Sequence, residues 1–232
     1  MSTLLAAHNI SVGYGQVPVV TGCNIEVQSG QVVTLLGSNG AGKSTTLMAL
    51  AGRLQPSVGT IEFLGEEVTS PLHKRARQGL RYVSEERSII RRLSTLDNLR
   101  LGAGPVEQAL EIFPELKRLL KRSAGLLSGG EQQILTLARA LSGDVKVLLA
   151  DELSLGLAPL VVEHLLNALR DAASRGVGVL LVEQHVRAAL SVADYGYVLR
   201  RGKIEMSGSK ADLLSKIDEI EATYLTGVAG HE

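Results

Sequence analysis

The stretch QVVTLLGSNGAGKST, residues Gln31–Thr45, decides how the rest of the sequence is interpreted. It begins with an apolar run of strand length, passes through a glycine-rich loop, and enters a helical pattern from Lys43 to about Gly52. The loop, Gly37–Ser44, matches the phosphate-binding pattern G-x-x-x-x-G-K-[ST] in full, between a predicted strand and a predicted helix. Its glycines let backbone N–H groups converge on phosphate oxygens at a helix N-terminus. The expected ligand is a nucleoside triphosphate.

The loop and the first helical residues supply most of the expected nucleotide contacts. Lys43 is expected to pair with the β- and γ-phosphates, and the Ser44 hydroxyl to bind Mg²⁺. A chance glycine-rich turn is the alternative, but the complete motif in this context argues against it. The predicted contacts are Gly37, Ser38, Asn39, Gly40, Ala41, Gly42, Lys43, Ser44 and Thr45.

A second motif, VLLADE, places two carboxylates after another apolar strand. Asp151 is predicted at the carboxyl end of that strand, where open α/β sheets bind ligands, and there it can hold Mg²⁺ directly or through water. Glu152 has no evident cationic neighbour in the sequence. An acidic pair at a strand end can also be a solvated turn. Beside a phosphate loop, however, Glu152 is the better candidate to orient and deprotonate the attacking water.

The stretch LLSGGEQQILTLARAL, residues 126–141, predicts an amphipathic helix that begins at two glycines. Ser128 and Glu131 fit the S-x-x-E capping box, in which each side chain satisfies a backbone N–H at the helix start. Glycine costs the most conformational entropy to order, so Gly129 and Gly130 need a reason. Taken alone, they can be no more than a loop that leads into the helix.

Composition limits the class of protein. The 232 residues contain 24 basic and 24 acidic side chains, without the basic excess of a nucleic-acid binder. The single cysteine, Cys23, is expected to be a small buried hydrophobe, in keeping with a reducing compartment. No signal peptide and no apolar run of about 18 residues is evident. The sequence therefore predicts a soluble, cytoplasmic protein that reaches a membrane only through a partner.

The remaining pattern predicts an α/β core with a helical insert at about residues 72–141. The apolar runs Val145–Ala150 and Val177–Val182 are typical of parallel strands buried on both faces, and the helix Pro159–Ser174 between them completes a βαβ unit. A hairpin is predicted to turn at Arg201–Gly202. Further short strands are predicted at Leu4–Val12, Ile25–Val27, Val58–Gly65 and Leu80–Ser84.

Six motifs in order resemble those of ATP-binding cassette (ABC) ATPases over essentially the whole chain, residues 1–232. Besides the phosphate loop and VLLADE, they are LSGGE (the signature motif), YVSEER (the Q-loop), SLGLAP (the D-loop) and LVEQH (the switch histidine). The resemblance implies a single domain with a P-loop core, an N-terminal antiparallel β-subdomain and an inserted helical subdomain. It also implies that Tyr14, in SVGYG, stacks on adenine and that His185 contacts the γ-phosphate. Taken alone, both would more simply be structural residues.

The resemblance can be narrowed to the ATPase subunits of importers for branched-chain amino acids, amides and urea. The segments LSGGEQQ, SLGLAP, LLVEQH and EATYLTG carry it. That subgroup has glutamate where most cassettes have glutamine, as at Glu85 and Glu131, and Glu85 is expected to reach Mg²⁺ or the attacking water. Ser84, Glu86 and Leu153 depart from the subgroup's pattern.

The resemblance implies the partners and explains the two glycines. Ser128, Gly129, Gly130 and Glu131 would present a helix start to the γ-phosphate held by a second ATPase subunit, identical or related. Permease subunits would hold the pair on the inner face of the membrane, and a substrate-binding protein would act through them. One alternative is a non-transport cassette acting on ribosomes or DNA. The second alternative is a small-molecule P-loop kinase or a GTPase. Either would lack LSGGE, and a GTPase should also carry an N-K-x-D motif, which the sequence does not contain.

Overall fold

A computed structural model describes residues 2–15 and 17–225 of the protein. The motif EATYLTG therefore ends outside the described residues, at Thr226 and Gly227. The strands of the described part are β1 (Thr3–Tyr14), β2 (Val17–Gln28), β3 (Val32–Leu36), β4 (Val58–Phe63), β5 (Glu66–Glu67), β6 (Leu80–Val83), β7 (Val147–Asp151), β8 (Gly178–Glu183), β9 (Tyr195–Arg200) and β10 (Lys203–Ser209). The α-helices are α1 (Lys43–Leu50), α2 (Leu72–Arg77), α3 (Thr95–Arg100), α4 (Val106–Ile112), α5 (Gly129–Leu141), α6 (Pro159–Ser174), α7 (Val186–Val192), α8 (Lys210–Ser215) and α9 (Ile217–Leu225).

The smaller sheet is antiparallel, with the strand order β2-β1-β4-β5. It confirms the predicted N-terminal antiparallel subdomain. β2 is much longer than the predicted Ile25–Val27, because Pro18 and Gly22 lie inside it instead of ending it. Gly22 has a positive φ of 63°, and β1 and β2 shift register nearby, so the strand bends and continues. Cys23 is buried in β2, as predicted, and burial raises the pKa of its thiol to about 12.

The larger sheet has the strand order β10-β9-β3-β8-β7-β6, parallel except for β10. Every residue of β3, β7 and β8 is buried, which confirms the apolar runs as central strands. β7, α6 and β8 form the predicted βαβ unit, and β9 and β10 the predicted hairpin. Leu36 pairs with Glu183 and Asp151 with Val182, so the carboxyl ends of β3, β7 and β8 meet at one edge. Open α/β sheets bind their ligands at this edge.

Two apolar layers cover the faces of the larger sheet. Val179 and Leu181 of β8 pack into the layer that contains α5, α6 and α7. Leu180 and Val182 pack into the other, with α1 and the smaller sheet. This alternation follows from strand geometry, in which successive side chains point to opposite faces. Packing on both faces fixes the strands and therefore the loops that leave their carboxyl ends.

The range 72–141 contains more than helices. β6 lies in this range and pairs with β7, so it belongs to the larger sheet. The helical part of the range is therefore α3 to α5, which lie between β6 and β7 in the chain. The buried Asn98 of α3 attaches the loop after β6 to these helices. Its amide nitrogen donates to the carbonyls of Ile90 and Ser94, both at 3.0 Å, and its amide oxygen accepts from the Ile90 N–H at 2.8 Å. The loop that carries Glu85 therefore connects the sheet to the helical insert.

Candidate nucleotide-binding and hydrolysis site

The phosphate loop connects β3 to α1, as the sequence predicts. Its glycines are required by close packing as well as by backbone angle. A Cβ at Gly37 would lie 2.4 Å from the Leu199 carbonyl oxygen, and one at Gly42 would lie 2.7 Å from a methyl group of Val20. Gly42 also has a φ of 107°, which side chains of L-residues rarely adopt, and it caps α1. Among the described residues no side chain caps this helix start, so its N–H groups suit an anionic ligand.

Lys43 lies folded over the loop, with its side chain only 4% exposed. Its ammonium group donates hydrogen bonds to the carbonyl oxygens of Gly37, at 2.9 Å, and Ser38, at 3.1 Å. It also lies 3.4 Å from a carboxylate oxygen of Glu152. The cation is thus held where the phosphate loop meets the end of β7, beside the expected position of the phosphates.

Asp151 ends β7 and is almost fully buried. Burial, followed by the negative charges of Glu152 and Glu85, raises the pKa of its carboxyl group to about 6, against the opposing effects of the Ser44 hydroxyl and Lys43. Its Oδ1 atom is buried without a hydrogen-bond partner among the described residues. A buried carboxylate oxygen without a partner, beside a serine hydroxyl, matches the oxygen ligands that Mg²⁺ takes. Asp151 and Ser44 therefore fit the expected metal.

Glu152 follows Asp151 in a strained backbone conformation. Its φ is +47°, a region that non-glycine residues rarely occupy, and its N–H donates to the Val182 carbonyl at 2.9 Å. The sequence offered no cationic neighbour for Glu152, but the fold supplies Lys43, about a hundred positions earlier in the chain. Strained residues concentrate at functional sites, where the surrounding structure holds them in place. The strain supports a functional role for Glu152 over a solvated turn.

A cavity of about 410 Å³ opens over the phosphate loop. It brings together Glu85 from the loop after β6, Glu152 from the end of β7, and Lys43 and Ser44 from α1. Three of its residues were not singled out from the sequence, namely Val19, Leu155 and Gln184. The lining residues are Val19, Asn39, Gly40, Gly42, Lys43, Ser44, Thr45, Glu85, Glu152, Leu155 and Gln184.

The structure places His185 and Tyr14 outside the described lining of this cavity. His185 is exposed, caps α7, and lines a separate cavity of about 380 Å³ between α6 and α7. Tyr14 ends β1 and is 56% exposed. Both residues are exposed and therefore accessible to a ligand or a partner. The γ-phosphate contact of His185 and the adenine contact of Tyr14 both stay predictions.

The LSGGE segment begins α5 with the predicted capping box. The Ser128 hydroxyl accepts from the Glu131 N–H at 3.3 Å, and the Glu131 carboxylate accepts from the Ser128 N–H at 2.8 Å. The second of these bonds is the main reason that the pKa of Glu131 lies below its usual value. None of residues 128–131 belongs to the described lining of the cavity over the phosphate loop. The start of α5 is therefore separate from the described cavity over the phosphate loop of its own chain.

The glycines of LSGGE also have a reason within the chain. A Cβ at Gly129 would lie 3.1 Å from the guanidinium group of Arg87, and one at Gly130 would lie 3.2 Å from a methyl group of Val161. Arg87 belongs to YVSEER and Val161 to α6, so α5 starts where these two segments approach closely. Close approach within the chain is therefore an additional reason for glycine, besides the phosphate contact inferred from the resemblance.

The SLGLAP segment is tied to the strand beside it. The buried carboxylate of Glu183, at the end of β8, accepts from the Ser154 N–H at 3.0 Å and from the Ser154 hydroxyl at 2.7 Å. Burial raises the pKa of Glu183, and the two bonds from Ser154 oppose that shift. Among the departures from the subgroup's pattern, Leu153 is buried in the apolar layer, and the Ser84 hydroxyl lies 3.3 Å from the Ser88 hydroxyl.

Within residues 2–15 and 17–225, no helix is long and apolar enough to cross a membrane. A family model described as ABC transporter matches residues 20–154, more than half of the chain. The high-affinity branched-chain amino acid transport ATP-binding protein BraG of Pseudomonas aeruginosa is 38% identical over 234 residues, which cover 97% of this chain and 100% of BraG.

One further relative and one solved structure are also similar to this chain. The lipopolysaccharide export system ATP-binding protein LptB of Acidithiobacillus ferridurans is 36% identical over 225 residues, covering 92% of this chain and 93% of LptB. The ADP conformation of MJ1267, an ATP-binding cassette of an ABC transporter, superimposes with a TM-score of 0.84 and 26% sequence identity, covering 96% of this chain and 99% of that chain.

Proposed function

This chain belongs to the ABC transporter family, and we propose that it drives the import of branched-chain amino acids or of related amides or urea. As a member of the family it is an ATPase whose hydrolysis is coupled to transport. Membership excludes the P-loop kinase and the GTPase. The observation that carries the substrate class is the likeness to BraG, which spans the whole length of that protein.

The main competing substrate class is lipopolysaccharide export, because LptB is nearly as similar as BraG. Two features of this chain favour the importer. Glutamate occupies the positions of Glu85 and Glu131, as the importer subgroup has it, and LLVEQH and EATYLTG resemble that subgroup as well. A non-transport cassette acting on ribosomes or DNA is the weaker alternative, since the charges balance at 24 basic and 24 acidic residues.

In the proposed mechanism the cavity over the phosphate loop binds the triphosphate of ATP. The N–H groups at the start of α1 and the ammonium group of Lys43 hold the phosphates, so Lys43 exchanges loop carbonyls for phosphate oxygens. Ser44 and Asp151, with Glu85 nearby, would hold Mg²⁺, which neutralises charge on the phosphates when it is bound. Glu152 accepts a proton from the attacking water and orients it toward the terminal phosphate.

A second ATPase subunit completes the proposed site. The start of α5 is separate from the phosphate cavity of its own chain, yet it presents backbone N–H groups and two glycines. In a dimer, Ser128, Gly129 and Gly130 of one subunit face the terminal phosphate bound to the other. ATP then closes the pair and hydrolysis lets it open. The ATPases sit at the cytoplasmic face of the membrane through permease subunits.

Glu85 is the proposed link between hydrolysis and the permease. It lines the phosphate cavity, and its loop is attached to the helical insert by the hydrogen bonds between Asn98 and Ile90. A movement at the phosphates can therefore reach the insert. We expect Glu85→Gln to keep ATPase activity, and Glu85→Ala to impair transport more than ATP binding. Normal ATP-driven uptake by the Glu85→Ala transporter would contradict this coupling role.

The substrate is tested in proteoliposomes that contain this chain, its permease subunits and its binding protein. Labelled leucine, an amide and urea are offered outside the vesicles, with ATP inside, and uptake is followed with time. The Glu152→Gln transporter is the matched control, since it should assemble but hydrolyse ATP poorly. The proposal is supported if the wild-type transporter takes up at least one of these compounds and the Glu152→Gln transporter does not. ATP hydrolysis without uptake of any of them, together with release of lipopolysaccharide from the vesicles, would assign the chain to export.

A further inference from the structure

Glu183, the last residue of β8, carries a buried carboxyl group to which the proposed mechanism gives no role. It is only 1% exposed, and both of its oxygens accept hydrogen bonds from one residue. Oε1 accepts from the Ser154 N–H at 3.0 Å, and Oε2 accepts from the Ser154 hydroxyl at 2.7 Å. Within residues 2–15 and 17–225, no lysine or arginine forms an ion pair with it. A carboxyl group is costly to bury, so its contribution should come from the two bonds to Ser154.

Ser154 belongs to the turn that carries Glu152, the proposed base. The turn follows β7, and the residue between the two, Leu153, is 2% exposed in the apolar layer. The N–H of Glu152 donates to the carbonyl of Val182 at 2.9 Å, and Ser154 then donates twice to Glu183. The turn is therefore bonded at two points to two consecutive residues of β8.

The backbone of Glu152 needs such support. Its φ of +47° is a conformation that a non-glycine residue keeps only when the surrounding structure over-determines it. On one side, the pairing of Asp151 with Val182 fixes the end of β7. On the other side, apolar packing of Leu153 has no preferred direction. The paired bonds from the N–H and the hydroxyl of Ser154 fix both the position and the orientation of that residue, so they complete the support.

We propose that Glu183 is a positioning residue for hydrolysis, which acts through Ser154 to hold Glu152 where it can deprotonate the attacking water. The inference rests on the proposed role of Glu152 as the base. What the arrangement requires of Glu183 is the length of its side chain and its two polar atoms, and not its charge. A displacement of about 1 Å at a catalytic group can cost about 100-fold in rate, so a modest change at Glu183 should be visible in hydrolysis.

The test compares Glu183→Gln with Glu183→Asp in the full chain. Gln keeps the length of the side chain, and its amide can accept from the Ser154 N–H and donate to the Ser154 hydroxyl oxygen. Asp keeps the carboxyl group but is one CH₂ shorter, which withdraws the oxygens from Ser154. Single-turnover hydrolysis of labelled ATP should stay within a few-fold of the wild type for Gln and fall about 10- to 100-fold for Asp. ATP affinity should stay unchanged in both.

A full rate in the Glu183→Asp protein, or a larger loss in Glu183→Gln than in Glu183→Asp, would overturn the proposal. The second of these results would mean that the charge of Glu183 matters and its reach does not. A loss of ATP affinity equal to the loss of hydrolysis would also overturn it, because a positioning residue of the base should change the rate and not the binding of nucleotide.

The positioning role is separated from general damage by adding Glu183→Asp to Glu152→Gln. The base is then absent, so the second substitution should slow the residual hydrolysis little further. Losses that multiply would show that Glu183 acts independently of Glu152, against the proposal. Thermal unfolding is measured for every variant. If Glu183→Asp does not fold, Ser154→Ala replaces it, because it removes only the 2.7 Å bond, and the same comparison with Glu152→Gln decides.

Glu152→Gln alone tests the premise. Full activity of that variant would overturn both the base and its positioning residue. Slow hydrolysis by Glu152→Gln, together with wild-type hydrolysis by Glu183→Asp, would keep the base and reject only the role of Glu183.

Discussion

Two helices of this chain have glycine at their start, since Gly42 caps α1 and Gly129 is the first residue of α5, and their first turns are completed in different ways. α1 follows the phosphate loop, and no side chain of the described residues caps it. α5 carries a full capping box, so Ser128 and Glu131 satisfy N–H groups within the chain. A helix start without a cap leaves its N–H groups to water or to a ligand. The start of α1 therefore leaves its N–H groups open to a ligand, whereas α5 holds its own start together, and the partner's phosphate would be added to it only in the proposed dimer.

The two helix starts also differ in charge. The buried Lys43 lies at the start of α1 and is held by two loop carbonyls and Glu152. The start of α5 has a carboxylate, Glu131, in its first turn, where it stabilises the positive end of the helix dipole. A strongly anionic ligand is attracted by the first arrangement and partly opposed by the second. Changes at α1 should therefore alter nucleotide affinity, and changes at α5 should alter stability and assembly.

Lys43→Ala gives the largest expected effect. It removes the cation at the start of α1, so ATP hydrolysis should fall by about 100-fold or more, and ATP affinity should fall with it. Phosphate release and nucleotide titration measure the two effects. Lys117→Ala is the matched control, because Lys117 is an exposed lysine outside the site. Near-normal turnover of the Lys43→Ala protein would show that the start of α1 is not part of the catalytic site.

Glu152→Gln should separate binding from hydrolysis at the same place. The substitution keeps the size of the side chain but removes the base, so hydrolysis should fall about 100-fold or more while ATP stays bound. Bound ATP and released phosphate are measured on the same sample. With ATP and Mg²⁺ the closed dimer should then accumulate, visible as a doubled mass by light scattering. Full activity of this variant would show that Glu152 is not the base.

Ser128→Arg, added to Glu152→Gln, tests whether α5 acts on the partner. A bulky cation at the start of α5 occupies the place of the partner's terminal phosphate, so the closed dimer should be lost while each monomer binds ATP as before. Mass and ATP affinity are measured together with thermal unfolding. A double variant that still dimerises would contradict the contact across the dimer. If the monomer also loses ATP binding, the capping box supports the whole fold. The start of α5 could then no longer be separated from the start of α1 by its effect on nucleotide affinity.

Substitutions at Tyr14 test whether it stacks on the base of the nucleotide whose phosphates bind at the start of α1. Tyr14 is 56% exposed at the end of β1 and is not part of the described lining of the phosphate cavity, and such exposure suits stacking on a base. Tyr14→Ala should weaken ATP binding about 10-fold, whereas Tyr14→Phe should bind nearly as well, because stacking needs the ring and not the hydroxyl. Equal affinities for the three proteins would make Tyr14 a structural residue.

Ser128→Ala should have the smallest effect, which in the monomer is a loss of stability. Loss of one N-cap hydroxyl costs about 1 kcal/mol of unfolding free energy, and nucleotide affinity of the monomer should not change. Chemical denaturation measures the difference. A change in the monomer's ATP affinity without a change in stability would contradict the self-contained start of α5.

The same cap gives a pH dependence through Glu131. Its folded-state pKa is lowered, mainly by the hydrogen bond from the Ser128 N–H, so its contribution to stability is present above the unfolded-state pKa. That contribution is lost as the pH falls through the lower folded-state pKa. The stability difference between the wild type and Glu131→Ala should therefore be larger at pH 7 than in the acid range. An unchanged difference would show that the carboxylate form of Glu131 does not stabilise the cap.

Much of this protein was determined by local sequence. The phosphate loop, the central strands β3, β7 and β8, the helix α6 and the capping box of α5 all follow from patterns within about a dozen neighbouring residues. Such patterns are reliable because they depend on backbone periodicity and on glycine, and these act over one or two turns. β2 was predicted too short, at Ile25–Val27, because it continues through Pro18 and Gly22, which the sheet accommodates through a bend.

Only the tertiary structure decided which side chains share the site. It paired Glu152 with Lys43, brought Glu85 to the same cavity, and placed Arg87 and Val161 against the glycines of LSGGE. It also placed Gln184 and His185, which are adjacent in the sequence, in the linings of two different cavities. The direction of a side chain after a strand depends on where the pleat ends and on what packs against the following helix. Those constraints come from segments distant along the chain, so the sequence of LVEQH alone could not fix them.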